Sequence, residues 1–209
     1  MVGQAVFILI GTYLMSRGRP REFDSETALH QAMLVFWRNG YRGTSVDDLT
    51  QALQINKPSL YAAFGDKEAL FLQVVDHYRD RMMVPASKKL AECENLRDGL
   101  KNFFHAIGDV VLDNETPPGS MIACLLTDDC CESETINAKL AGMIEGSDKF
   151  FATVFEKHRG ELNPLLTPAS ASLLMVSTLH GLSIRARAGG TRKTMSAASA
   201  AFIDAITKP

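Results

Sequence analysis

Lys57, Pro58, Ser59 and Tyr61 form the densest group of side chains in this chain with a readable chemistry. An ammonium, a hydroxyl and a phenol gathered at the start of a short helix can donate to base edges and phosphate oxygens, because that helix end also presents free backbone N–H groups and positive charge. Leu60 and Phe64, four residues apart, form the opposite, inward face. Thr44 and Ser45 offer similar donors at the start of a preceding segment. The remaining reactive side chains say less. His30, His77, His105, His158 and His180 stand apart, without metal-ligand spacing, a phosphate-cradling glycine loop or a nucleophile elbow, so no catalysis, metal or cofactor is expected. Cys124, Cys130 and Cys131, close to Asp128, Asp129 and Glu132, can sense oxidants or electrophiles, or with His105 hold a soft metal. Against both, Cys130 and Cys131 are adjacent rather than two residues apart, and neighbouring carboxylates raise a thiol pKa. Buried, inert cysteine is the preferred reading.

The flanking sequence supplies a frame for the Lys57 group. Thr44 with Asp47 three residues on reads as an N-cap and capping box, and Val46, Leu49 and Leu53 recur behind it at helical spacing. After Gln54 and Ile55, Asn56 caps a second short helix. Pro58 fits a first turn where its missing N–H has no intrahelical partner, and Gly65 supplies a left-handed stop. Two short helices around a tight turn make a helix-turn-helix, whose second helix places its N-terminal residues against base edges in the major groove. Upstream, a helix over Ser25 to Asn39 is capped by Asp24, striped by Ala28, Leu29, Ala32, Met33 and Phe36, and stopped by Gly40. Before it, residues 16–21 form a basic arm with Arg19 and Arg21 that can lie along a negatively charged groove. Downstream, Asp66 opens a longer helix carrying Leu70, Phe71, Val74, Val75 and Tyr78.

Over about residues 17 to 75 the chain resembles the tetracycline-repressor-like (TetR/AcrR) family of bacterial transcriptional regulators. The resemblance rests on Gly18 to Arg21, on Phe36, Gly40, Tyr41 and Gly43 to Val46, and on the unbroken run Lys57 to Leu70. It implies that Thr44 and Ser45 contact phosphate, that Lys57, Pro58 and Ser59 meet bases, and that Tyr61 and Lys67 contact phosphate. It also positions Arg19 and Arg21 to approach the minor groove. The fold it implies is all-α with about nine helices, matching the helix count read from the pattern. An N-terminal three-helix helix-turn-helix head would sit beneath a larger C-terminal helical domain for ligand binding and dimerisation. The expected divisions are an apolar extension over 1–15, the head over 16–66, a connecting helix over 67–82 and the effector and dimerisation domain over 83–209.

Composition is consistent with this. With 209 residues and 46% apolar content the chain can bury one substantial core and a small satellite. A net charge of −2 argues against indiscriminate polyanion binding, so a local basic footprint and the pairing of two heads are needed. Four cysteines without regular spacing suggest a reducing, cytoplasmic setting. Residues 1–15 are apolar but too short to span a bilayer comfortably and lack the basic front of a secretory signal. The expectation is that the native chain begins at Met15, and no membrane partner is expected.

From Leu96 onward every segment reads as helical, with helices expected over 96–112, 122–126, 132–159, 169–188 and 192–206. The last two are rich in small and apolar residues. Leu173, Val176, Leu179, Leu182, Phe202 and Ile206 are the expected interface of a two-fold dimer, a four-helix bundle that would set two recognition helices on a near-palindromic operator. An effector cavity is expected among Phe103, Phe104, Ile107, Cys124, Met143, Phe151, Met175 and Thr178. The leading reading is a dimeric repressor released from double-stranded DNA by an unknown small molecule. A thiol-based redox or electrophile sensor and a membrane-tethered sensor are the alternatives.

Overall fold

The computed structural model describes residues 24–127 and 133–208. Arg19, Arg21, Cys130, Cys131 and the apolar extension lie outside the described residues. Helices α1 (Ser25–Asn39), α2 (Val46–Leu53), α3 (Lys57–Phe64) and α4 (Lys67–Tyr78) come first. A π-helical turn (Arg79–Met83) joins α4 to α5 (Val84–Ala91). The rest comprises α6 (Leu96–Val111), α7 (Met121–Thr127), α8 (Glu134–Lys157), α9 (Pro168–Arg187) and α10 (Arg192–Ile206). With α4, the π turn and α5 taken as one rod, the described residues hold nine helices and no strand beyond an isolated bridge between Leu162 and Thr207.

Caps chosen by the sequence set these boundaries. Asp24 accepts from the Glu26 and Thr27 amides, Asn56 from Ser59, Asp66 from Ala69 and Asn95 from Asp98, each relieving donors that have no partner inside the helix. One expected cap shifts by a residue. Ser45, not Thr44, is the N-cap of α2, and its capping box closes on Asp48 rather than Asp47. Thr44 is instead buried, with its hydroxyl donating to the Gly40 carbonyl at 2.7 Å. Both registers fit the same sequence pattern; the inward pull on Thr44 selects the second.

The π turn was not expected, and Pro85 accounts for it. A proline inside a helix lacks its N–H and crowds the carbonyl four residues earlier, and a wider turn ahead of it relieves the clash without ending the rod. An ion pair between Arg81 and Glu26 ties this turn to α1.

Two apolar clusters fill the interior. Phe36, Trp37, Leu49, Leu60 and Phe71 pack beneath the short helices, and the same cluster continues onto Met121 and Leu125 of α7 and Ile136 and Leu140 of α8. The second runs from Leu96 and Phe103 through Phe155 to Met175 and Ile206. Tyr78 closes the first cluster, fully buried, its hydroxyl donating to Ser120 Oγ at 3.0 Å. Burial pushes its phenol up to about 12, against hydrogen bonds that favour ionisation. The folded state therefore holds this proton at pH values where the unfolded chain, titrating near 10, releases it. Stability should be unaffected by this group below pH 10 and fall progressively between 10 and 12. Urea denaturation at pH 9, 10.5 and 11.5 checks it: the Tyr78→Phe variant should lose less stability over that range.

The α9 surface corrects the expected dimer face. Val176, Leu182 and Ile206 are buried within the protomer, and Leu179 and Phe202 are half-buried against the second cluster, so of the six expected residues Leu173 alone stands fully outward. The outward stripe runs Leu173, Leu174, Ser177, Gly181 and Ile184, and Ala197, Ala200 and Ala201 of α10 are exposed as well. Because apolar residues fall on every side of α9, periodicity could not tell its inner face from its outer one.

Candidate nucleic-acid interface

Helix α3 presents its N-terminal turn to solvent. Leu60 and Phe64 anchor it in the core, Lys57 and Pro58 are exposed, Tyr61 is 47% exposed and Ser59 is half-buried. Asn56 occupies the Ser59 amide at 2.8 Å, and Gly65 ends the helix at φ 82°. The turn before it needs Gln54 at φ 55°, a left-handed geometry in which its N–H reaches the Thr50 and Gln51 carbonyls. Two short helices are thereby joined by a tight turn, with the N-terminal residues of α3 exposed.

Two acidic side chains on α2 face the cations of this surface. Lys57 Nζ lies 2.7 Å from Asp47 Oδ1, a pair exposed on both sides. The Asp47 hydrogen bond, with its charge, raises the Lys57 pKa and keeps the ammonium charged. Such a pair is solvent-screened and readily exchanged, so it does not immobilise the Lys57 ammonium. Asp48 accepts from the Ser45 amide and hydroxyl, both at 2.7 Å, and those bonds lower its pKa. Lys67 Nζ sits 4.3 Å above the Tyr41 ring. Burial lowers the Lys67 pKa, opposed by the charge of Asp48. The structure thus brings Ser45, Lys57, Pro58, Ser59, Tyr61 and Lys67 onto the head. Thr44 is the exception, since its hydroxyl is buried and committed to Gly40.

A cavity of about 600 Å³ lies farther from the tip, between the α4–α5 rod and helices α6, α8 and α9. Of the residues read as effector-cavity candidates, Ile107, Met143 and Phe151 line it. Phe103, Phe104, Cys124, Met175 and Thr178 do not: Phe103, Phe104 and Met175 are spent on packing the second cluster. The polar lining was missed. It includes Tyr78, Arg79, Ser87, Ser120, Lys139, Ser147 and His180, drawn from segments far apart in sequence. Asp76 Oδ1 accepts from Arg79 at 2.8 Å and from Lys139 at 2.7 Å, fastening the end of α4 to α8. Burial lowers the His180 pKa, with Asp148 opposing, which favours a neutral imidazole. Gly142 and Gly146 leave the α8 wall bare, since a Cβ on either would meet nothing within 4 Å.

A model described as bacterial regulatory proteins of the tetR family matches residues 28–74, the span of α1 to α4. The HTH-type transcriptional repressor ComR of Escherichia coli (strain K12) is 31% identical over 183 residues, covering 84% of this chain and 85% of that protein. This chain belongs to the tetR family. The HTH-type transcriptional regulator YezE of Bacillus subtilis (strain 168) is 31% identical over 160 residues, covering 74% and 80%. Among solved structures, a cysteine mutant of the TetR family regulator CifR in complex with 26-base-pair operator DNA aligns with TM-score 0.82 at 30% identity, covering 90% of this chain and 99% of that one.

The protein is therefore a DNA-binding transcriptional regulator and not an enzyme. Among the described residues no helix is long and apolar enough to cross a membrane, and no group of His, Cys, Asp and Glu side chains is arranged to hold a metal.

Proposed function

We propose that this tetR-family protein is a dimeric repressor that grips a two-fold symmetric operator through α3 and lets go when a small, mostly apolar molecule fills the central cavity. Arg19, Arg21, Ser45, Lys57, Pro58, Ser59, Tyr61 and Lys67 are the proposed DNA contacts. The head over 16–66, the connecting helix over 67–82 and the effector and dimer domain over 83–209 are the proposed working parts.

One observation carries the release mechanism. Tyr78, Arg79 and Met83 line the cavity and belong to the same continuous rod whose first residue, Lys67, is one of the proposed DNA contacts. A ligand that prefers one setting of that rod lowers the affinity of the other setting for the operator, and by linkage DNA lowers ligand affinity by the same factor. The lining suits an occupant with an apolar body and a group that hydrogen-bonds to Ser147 or His180. A gel-shift titration of an operator duplex with candidate effectors tests the sign: operator release supports the reading, and tighter binding reverses it.

The bare α8 wall gives a second test. Gly142→Leu and Gly146→Leu should each raise helix stability by up to about 1 kcal/mol, because glycine is the poorest ordinary helix former. Each should also fill the cavity, leaving operator affinity unchanged while raising the effector concentration needed for release at least about tenfold. Thermal melts with gel-shift titrations check both halves, and normal effector sensitivity in both variants would remove the cavity from the mechanism.

A further inference from the structure

Cys93, His158 and Glu161 come together at the corner between α5 and α6, away from the central cavity. Cys93 Sγ lies 3.6 Å from His158 Nε2, and His158 Nδ1 lies 2.8 Å from Glu161 Oε1. Glu161 Oε2 accepts the Leu96 amide at 2.7 Å, the first N–H of α6, so the carboxylate is fixed from both sides. Although burial raises the Glu161 pKa, the hydrogen bonds from His158 and Leu96 prevail and hold it below its ordinary value. An ionised carboxylate only accepts, so the proton on the imidazole sits at Nδ1 and Nε2 offers its lone pair to the thiol. Nucleophile, base and orienting acid thus stand in a line, with His158 buried and Cys93 opening onto a surface cleft. The Lys157 ammonium donates to the carbonyls of Ala91 and Cys93, placing positive charge beside the sulfur.

The cleft is a separate feature. It encloses about 690 Å³, and its polar lining includes Lys89, Asn95 and Asn102 as donors and Glu94, Asp98 and Asp109 as carboxylates. A mixed rim of that kind favours a small uncharged molecule with a hydrogen-bond acceptor over either type of ion.

We propose that Cys93 is a covalent modification site for α,β-unsaturated carbonyl compounds, with His158 as its base and Glu161 as the residue that positions the base, and that the adduct weakens operator binding. The thiol sulfur bonds to the β-carbon while its proton passes to His158 Nε2. The alkene electron pair moves onto the α-carbon and carbonyl oxygen as an enolate, which the imidazolium then protonates at the α-carbon. Thiol and enone become a thioether, His158 is regenerated, and no oxidant is required. Burial raises the Cys93 pKa, so the group rests as a thiol and depends on His158 for proton removal.

The consequence for DNA follows from packing. A Cβ on Gly99 would lie 2.5 Å from Cys93 Sγ, so the sulfur rests flat on α6, and the proposal requires that a carbon chain added to it displace the corner. That corner ends the rod formed by α5, the π turn and α4.

The test uses the full chain with Cys124, Cys130 and Cys131 replaced by serine, and N-ethylmaleimide as the probe. At pH 7 the folded protein should be alkylated at least about tenfold faster than the same chain in urea, since a positioned base contributes on the order of a hundredfold or more. His158→Ala should bring the rate to the unfolded value, with partial rescue by added imidazole. Glu161→Gln, which keeps an acceptor for Leu96, should slow it several-fold and guards against a misfolded alanine variant. The fully alkylated protein should bind a duplex selected by the unmodified protein at least about tenfold more weakly. A folded rate no faster than the unfolded one, a rate indifferent to both substitutions, or unchanged DNA affinity after complete alkylation each overturns the proposal.

Discussion

Replacing Lys57 and Tyr61 together by alanine should reduce operator affinity at least about a hundredfold while leaving the fold intact. Both side chains are exposed and neither contributes to the apolar clusters, so a melting curve close to the parent's is expected. The loss is large because the proposed symmetric dimer would lose each group twice, and each base or phosphate contact is worth about fivefold or more. The two residues should also fail differently. Tyr61→Ala, which removes a proposed phosphate contact, should weaken binding to all duplexes alike, whereas Lys57→Ala should blur the preference for particular bases. Fluorescence anisotropy against the operator and a scrambled duplex, at two salt concentrations, separates the two. A double variant that binds like the parent would mean that α3 does not face DNA.

Leu173→Glu combined with Ile184→Glu should convert the protein to a monomer. These residues are 59% and 55% exposed in the single chain, an unusual fate for large aliphatic side chains eleven residues apart on one face of a helix. The alanines at 197, 200 and 201 on α10 and the open position at Gly181 let a second copy approach closely. In an isologous interface each new carboxylate meets its own copy or a neighbour across the two-fold axis, so desolvation and repulsion act together. Sedimentation at micromolar concentration should show the monomer mass with unchanged helical content. Operator affinity should drop by about a hundredfold or more, because the second head then binds as a separate molecule instead of at high effective concentration. A dimer that survives both substitutions would place the interface elsewhere.

How well the sequence disclosed each part depended on the range of the interaction involved. Asp24, Asn56, Asp66 and Gly65 act on their own helix ends, and helices α1, α3 and α10 were legible from such signals. The exposed face of α3 was legible for the same reason, because Lys57 and Tyr61 point outward once Leu60 and Phe64 point inward. Thr44 was misplaced because two capping registers, one residue apart, fit equally well until burial chose between them. The cavity was legible only in part. Ile107, Met143 and Phe151 line it, but Arg79, Lys139 and His180 are joined by helix packing that no local pattern announces. The same holds for Cys93, which lies 65 residues from His158. The α9 stripe failed for a different reason: with apolar residues on every side, Val176 and Leu182 were as plausible at the interface as Leu173 until their burial within the protomer was known.

The central claim is that two copies of α3, each led by Lys57, read a symmetric duplex. Selection of purified protein against a pool of randomised double-stranded oligonucleotides, at low ionic strength and without effector, tests it most directly. Enrichment of two inverted half-sites whose centres lie about one helical turn apart, or a multiple of it, is the expected result. Recovery of a pool with no sequence preference, or of a single unpaired half-site at full affinity, would contradict it.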